Sequence, residues 1–221
     1  MQTLAVIFDM DGVLVDSYHA HFVSWQRFYG ELGIAYSEEQ FAADFGRTSR
    51  DILRRSLGDN LRDEQVVAWD TRKEAIYREL LRESFPAMDG AVELLQALKL
   101  DGFRLAIGSS GPPENVALVV EQLAAGVHFD ATVTGADVTR GKPDPQVFQI
   151  AAERVGVAPA GCAVVEDAVH GITAAKRAGM TAIGLTGTLE RDELSAADAV
   201  VDSLRQLSAE RIRALVAAHD G

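Results

Sequence analysis

Leu4-Ala5-Val6-Ile7-Phe8 is an unbroken apolar run, followed at once by Asp9, Asp11 and Gly12. A run without polar alternation predicts a strand covered on both faces, as in a parallel sheet. Similar short runs recur at Phe103–Ile107, Ala131–Thr134, Ala163–Val165, Thr181–Leu185 and Ala199–Val201. Helical spacing separates most of them. Val92, Leu94, Leu95 and Leu98 line one stretch, and Val116, Val119, Val120 and Leu123 the next. Val147, Ile150, Ala151 and Val155 follow Pro145, a residue suited to a first helical turn. Repeated strand–helix alternation predicts an α/β fold with a doubly wound parallel sheet as its core.

Residues 17–85 break that rhythm. They contain helical stretches and no convincing strand. His21, Phe22, Trp25, Phe28, Tyr29 and Leu32 mark one apolar face, and Val67, Ile76, Leu80 and Leu81 mark a long amphipathic helix over Glu64–Glu83. The pattern predicts a core of residues 1–16 and 86–221, with a small all-helical cap domain, 17–85, inserted after the first strand.

Composition narrows the function. With 48% hydrophobic and 24% charged residues in 221, the chain reads as ordinary globular protein. A net charge of −12 argues against a nucleic-acid partner, whose phosphates are bound through Lys and Arg. A small anionic substrate stays open, because a metal ion and one or two cations can make a local positive pocket. Cys162 is the only cysteine, so no intrachain disulfide forms, and its Gly161–Val165 setting predicts a buried structural thiol. No segment approaches the ~20 apolar residues of a membrane span, and the N-terminal run is short and lacks a basic leader. The expectation is a cytoplasmic protein without membrane partners. No heptad seam is evident, which predicts a monomer.

Polar residues collect where the predicted strands end. Asp9 and Asp11, two apart in an extended segment, project to one side. Such a pair can bind a hard cation or divide into an ionised and a protonated acid, and it reads equally as an acidic turn. Ser109, Ser110 and Gly111 follow the next strand, where hydroxyls and backbone N–H groups cradle phosphate or simply cap a helix. Lys142 lies in Gly141-Lys142-Pro143-Asp144-Pro145, a stiffened loop that suits either a directed ammonium or an exposed lysine. Glu166 and Asp167 end another strand, as cation ligands or as helix N-terminal acids. Each signal is weak alone. Together they hold one divalent cation and one phosphoryl group.

In that order the residues resemble the haloacid dehalogenase superfamily, in the β-phosphoglucomutase-like subgroup of phosphatases and phosphomutases with a helical cap. Asp9-Met10-Asp11-Gly12-Val13-Leu14-Val15-Asp16-Ser17 is similar to the first family motif. Ser109 matches the second, Lys142 the third and Glu166-Asp167 the fourth. Gly171-Ile172 and Ala174–Gly179 resemble the helix after the fourth motif. The resemblance implies that Asp9 is a nucleophile phosphorylated in the reaction. It implies that Asp11 is the acid-base partner and that Lys142 and Ser109 hold phosphoryl oxygens. It also implies Mg²⁺ held by Asp9, the Asp11 main-chain carbonyl and Asp167, with Glu166 acting directly or through water. The superfamily's dehalogenases lack the second acid and use no metal, so Asp11 points to phosphoryl transfer.

In the predicted cap, His21 and Trp25 resemble the start of the β-phosphoglucomutase cap, and Lys73 resembles a cap lysine that reaches substrate. Gly46-Arg47-Thr48-Ser49-Arg50 resembles a cap loop contacting the distal part of substrate, through Arg47 or Arg50. Core packing explains His21 and Trp25 as well, and a solvated helix face explains Lys73. The leading expectation is a Mg²⁺-dependent phosphohydrolase for a small phosphorylated metabolite, a sugar phosphate first. A β-phosphoglucomutase is the alternative, and a non-catalytic phospho-receiver module a remote one, since receivers are shorter and uncapped.

Overall fold

The structure, a computed structural model, describes residues 3–44, 47–58, 60–123 and 129–219. The chain forms two compact units, Met1–Asp16 with Ala87–Gly221, and Ser17–Pro86. Elements are numbered in chain order. The first unit begins with β1 (Ala5–Phe8), whose four residues are all buried.

The second unit follows in sequence. It holds α1 (Tyr18–Glu31), α2 (Glu38–Asp44), α3 (Ser49–Leu57) and α4 (Asp63–Glu83), and among the described residues it has no strand. Its core is aromatic: Trp25, Phe28, Tyr29, Tyr36 and Phe41 pack with Ile52, Leu53, Val66 and Ile76. The Thr48 hydroxyl caps α3 by accepting the Asp51 N–H. Asp63 and Glu64 lie at the start of α4 and Arg82 at its end, each complementing the helix dipole. Two assignments from the sequence are corrected here. Val67 is 45% exposed while its neighbour Val66 is buried, because Val66, Lys73, Tyr77 and Leu81 share the inward face at spacings of seven, four and four. Leu32 is 37% exposed because α1 ends at Glu31 and the chain turns at Gly33, at φ +73°.

The first unit resumes with α5 (Ala91–Leu100), β2 (Arg104–Gly108), α6 (Pro113–Leu123), β3 (Ala131–Val133), α7 (Gln146–Val155) and β4 (Cys162–Glu166). It ends with α8 (Val169–Arg177), β5 (Thr181–Leu185), β6 (Ala199–Val201) and α9 (Ala209–His219). The six predicted strands therefore all form, and they make one parallel sheet in the order β3-β2-β1-β4-β5-β6. Helices α7 and α8 cover the face carrying Ala5, Ile7, Ala106 and Val164. Helices α5 and α9 pack on the sheet through β2 and through β4 and β5. Cys162 opens β4, fully buried, and burial pushes its thiol up to about 12, so the thiol is inert packing.

Chain order reverses between β1 and β4, which are adjacent in space and lie at the centre of the sheet. Ligands of open α/β sheets bind at the carboxyl ends of strands beside such a reversal. The register is level there: Phe8 pairs with Ile107 on one side and with Val165 on the other. The residues that follow these positions therefore emerge together. No helix among the described residues is long and apolar enough to cross a membrane.

Candidate active site

The level register brings Asp9, Ser109, Glu166 and Asp167 to one edge of the sheet, since each follows β1, β2 or β4 within two residues or closes it. The Asp9 N–H donates to the Val165 carbonyl at 3.0 Å, extending the β1–β4 ladder to Asp9 itself. Beyond it the chain folds into a tight loop. The Met10 carbonyl accepts the N–H groups of Leu14 and Val15, and the Gly12 N–H donates to the Val15 carbonyl. Gly12 takes φ +76°, which a side chain would resist. Asp11 is half-buried in this loop.

Lys142 reaches the same point from the loop before α7. Its ammonium donates to Asp9 Oδ1 at 2.5 Å and to Glu166 Oε1 at 2.6 Å. It also stands 4.8 Å from the centre of the Phe148 ring. The loop is tied down: Asp144 N–H donates to the Gly141 carbonyl, Arg177 donates to the Pro143 carbonyl, and Asp144 Oδ1 accepts the Gln146 N–H. Of the two readings of Lys142, the directed ammonium is the one observed.

Glu166 Oε2 also accepts the Ala168 N–H at 2.9 Å, so this carboxylate joins Lys142 to the start of α8. The fit depends on Gly171. A Cβ there would stand 1.8 Å from Glu166 Oε1. Ser109 is 2% exposed, and its hydroxyl accepts the Gly111 N–H at 3.0 Å while its own N–H donates to Val133. Ser110 next to it is exposed.

The charges are strained by burial. Desolvation, the largest influence, raises the Asp9 carboxyl; Lys142 opposes it, Glu166 and Asp11 add to it, and the result is about 7. Burial also holds Asp167 well above the ordinary carboxylate range, with Glu166 and Asp9 adding to the rise. Burial alone would lower the Lys142 ammonium, but Asp9 and Glu166 outweigh it and keep it firmly charged. Two buried carboxylates whose ionised forms are penalised are the donor chemistry that a hard divalent cation compensates. Among the described residues no three His, Cys, Asp or Glu side chains converge as a metal cluster. Asp9 and Asp167 are the buried carboxylates that could hold such a cation.

The helical unit has its own polar cluster. Lys73, 1% exposed, lies between His21 Nδ1 and Glu74 Oε1, both at 2.9 Å. The His21 ring stacks on Tyr77 at 4.0 Å, and the ammonium stands 5.2 Å from the Trp25 ring and 5.4 Å from Tyr77. Ser49 donates to Glu74. The structure thus brings together His21, Trp25 and Lys73, and it overturns the reading of Lys73 as a solvated helix position. Arg50 pairs instead with Asp70 at 3.1 Å, and Arg47 lies 3.7 Å from Asp44. Gly46 falls outside the described residues.

Sequence reasoning missed two participants, Phe148 and Thr188, whose hydroxyl donates to Asp167 Oδ2 at 2.5 Å; Gly171 stood in a motif-like segment, but its packing against Glu166 was not legible. Only the packing of separate loops reveals them.

Residues 3–179 match the haloacid dehalogenase-like hydrolase family. The chain belongs to that family. Validoxylamine A 7'-phosphate phosphatase of Streptomyces hygroscopicus subsp. limoneus is 32% identical over 207 residues, covering 91% of this chain and 94% of that protein. Beta-phosphoglucomutase of Bacillus subtilis is 31% identical, covering 82% of each. Among solved structures, β-phosphoglucomutase from Clostridium difficile superposes with a TM-score of 0.85 at 26% identity, over 99% of each chain. Relatives named for an activity are phosphatases and a phosphomutase, so this family member is an enzyme, a phosphatase or a closely related phosphomutase.

Proposed function

We propose that the protein is a Mg²⁺-dependent phosphohydrolase that releases phosphate from a small phosphorylated sugar by way of a phosphorylated Asp9. The observation that carries the reading is the Lys142 ammonium fixed between Asp9 and Glu166 beside the β1–β4 chain reversal. A carboxylate is a poor nucleophile toward an anion unless fixed positive charge offsets the repulsion. Lys142 is that charge, and Asp9 Oδ1 is in its grip. Asp9 attacks phosphorus in line. Lys142 and Ser109 hold phosphoryl oxygens, with Ser110 at the rim. Asp11 protonates the leaving oxygen and then takes a proton from the attacking water. Asp9, Asp167 and the Asp11 carbonyl would hold Mg²⁺, with Glu166 adjacent; the ion supplies charge neutralisation for the phosphoryl group. His21, Trp25, Lys73 and the arginines Arg47 and Arg50 are proposed to select the sugar.

Phosphorylated carbohydrates are supported as substrates by the relatives, which include a hexitol phosphatase and a fructose-1-phosphate phosphatase of Escherichia coli. A second reading, phosphomutase, is favoured by the named β-phosphoglucomutase relatives. It differs only in the acceptor, a sugar hydroxyl in place of water. The test is phosphate release from a sugar-phosphate panel with Mg²⁺, alongside β-glucose 1-phosphate primed with bisphosphate. Efficient formation of glucose 6-phosphate with little phosphate release would replace the first reading with the second. Asp9→Asn should abolish both activities with the fold intact, and retained turnover would refute the nucleophile assignment.

A further inference from the structure

The loop after β5 enters the site at a position no motif marks. Gly187 takes φ +130°, a backbone conformation that side chains rarely adopt, and this turn delivers Thr188. The Thr188 hydroxyl donates to Asp167 Oδ2 at 2.5 Å. Gly12, from the loop after β1, completes the enclosure. A Cβ on Gly12 would lie 1.9 Å from the same Asp167 Oδ2 and 3.0 Å from Thr188 Oγ1. One carboxylate oxygen thus occupies the volume that a side chain at position 12 would fill, with a hydroxyl donor locking it there. Loops from three strands, β1, β4 and β5, meet on that single atom.

A carboxylate that is to hold a cation needs a fixed rotamer and an ionised state. Asp167 is only 6% exposed, and Glu166 and Asp9 crowd it with like charge. A hydrogen bond donated to the ionised carboxylate works against both penalties. Partners that orient metal-binding carboxylates are commonly as consequential as the ligands they serve.

We propose that Thr188 is a positioning residue for the cation site: its hydroxyl, together with the space vacated at Gly12, holds the Asp167 carboxylate in its ligating orientation. This rests on the reading that Asp167 is a Mg²⁺ ligand. The Thr188 hydroxyl is bonded to Asp167, so in this proposal its loss acts through that carboxylate.

The test is isothermal titration of Mg²⁺ into the full-length protein, without substrate, for the wild type, Thr188→Val, Thr188→Ala, Thr188→Ser and Asp167→Asn. Thr188→Val keeps the shape and removes the hydroxyl, and Thr188→Ala serves if that variant does not fold. The expected result is a Mg²⁺ affinity reduced about 10- to 100-fold in the Val or Ala variant, with Thr188→Ser restoring it. A merely structural threonine would lower thermal stability in both Val and Ser variants and leave the affinity of the folded protein unchanged. Wild-type affinity in Thr188→Val or Thr188→Ala would overturn the inference while leaving the Mg²⁺ reading intact. Wild-type affinity in Asp167→Asn, or no Mg²⁺ binding by the wild type, would overturn the ligand assignment and the inference with it.

Discussion

At the scale of single residues, the site depends on side chains that are absent as much as on those present. Glu166 can grip Lys142 only because residue 171 has no Cβ, and Asp167 can turn toward Thr188 only because residue 12 has none. Gly171→Ala would place a methyl 1.8 Å from Glu166 Oε1. That clash displaces Glu166, and with it the ammonium that faces Asp9. Misplacing a charged group by about 1 Å costs roughly 100-fold in rate, so Gly171→Ala should lower kcat by about that factor. Circular dichroism should show the helix content retained. Unchanged kcat would mean that Glu166 does not set the position of Lys142. The four acids and the lysine were legible in the sequence because they are chemically distinctive, the acids following strands and the lysine set in a proline-stiffened loop. The glycines' role was not, because a missing Cβ acquires meaning only from what lies opposite it.

At the scale of elements, hydrophobic period located the six strands and helices α1, α4, α5, α6 and α7 but not α2, α3 or α9, and its error within α4 is a one-residue error of phase. Val66 and Val67 are adjacent apolar residues, and sequence alone offers no reason to choose between them. The choice is made by the aromatic core of α1, which Val66 joins and Val67 does not. Val66→Ala should therefore destabilise the helical unit by about 2 kcal/mol, and Val67→Ala should stay within about 0.5 kcal/mol. Urea denaturation of the two variants measures this, and equal costs would contradict the assigned helix face. Lys73 shows the same limit in polar form. Its spacing places it on the buried face of α4, but a lysine reads as solvent-exposed until His21, Glu74, Trp25 and Tyr77 are seen around it. Burying such a cation is costly unless it is paired, and the three aromatic rings and the carboxylate supply what water would have.

At the scale of the whole molecule, folding draws charges into two opposed arrangements. Asp9 rises from 3.8 to about 7 on folding, chiefly through burial. Its contribution to stability is fully present below pH 3.8 and is lost as pH rises through about 7. Asp130 behaves oppositely. Burial would raise it, but Lys99, the Leu105 N–H and Arg104 prevail and bring it from 3.8 to about 2. Its contribution is present above pH 3.8 and lost as pH falls through about 2, about 1–2 kcal/mol after solvent screening. Thermal melts of the metal-free protein should show stability declining from about pH 4 to about 7 and levelling above that, with Mg²⁺ raising Tm more at pH 8 than at pH 6. Asp9→Asn should flatten the decline, and Asp130→Asn should weaken the protein at neutral pH while removing part of its acid loss. An Asp9→Asn profile identical to the wild type would show that Asp9 is not the group responsible.

The sequence by itself determined the class of fold and the chemistry available to it. Unbroken apolar runs dictate strands buried on both faces, and strands of that kind, joined by amphipathic helices, form a parallel sheet with acids, hydroxyl and lysine at its ends. Tertiary structure decided which of those groups meet. The β1–β4 reversal and the level register place Asp9 beside Glu166, the loop before α7 swings Lys142 between them, and the loop after β5 brings Thr188 onto Asp167. The physical reason is separation along the chain. Local periodicity reports what each segment buries, but Lys142 and Asp9, or Thr188 and Asp167, are neighbours only after distant segments pack, and no local pattern encodes that contact.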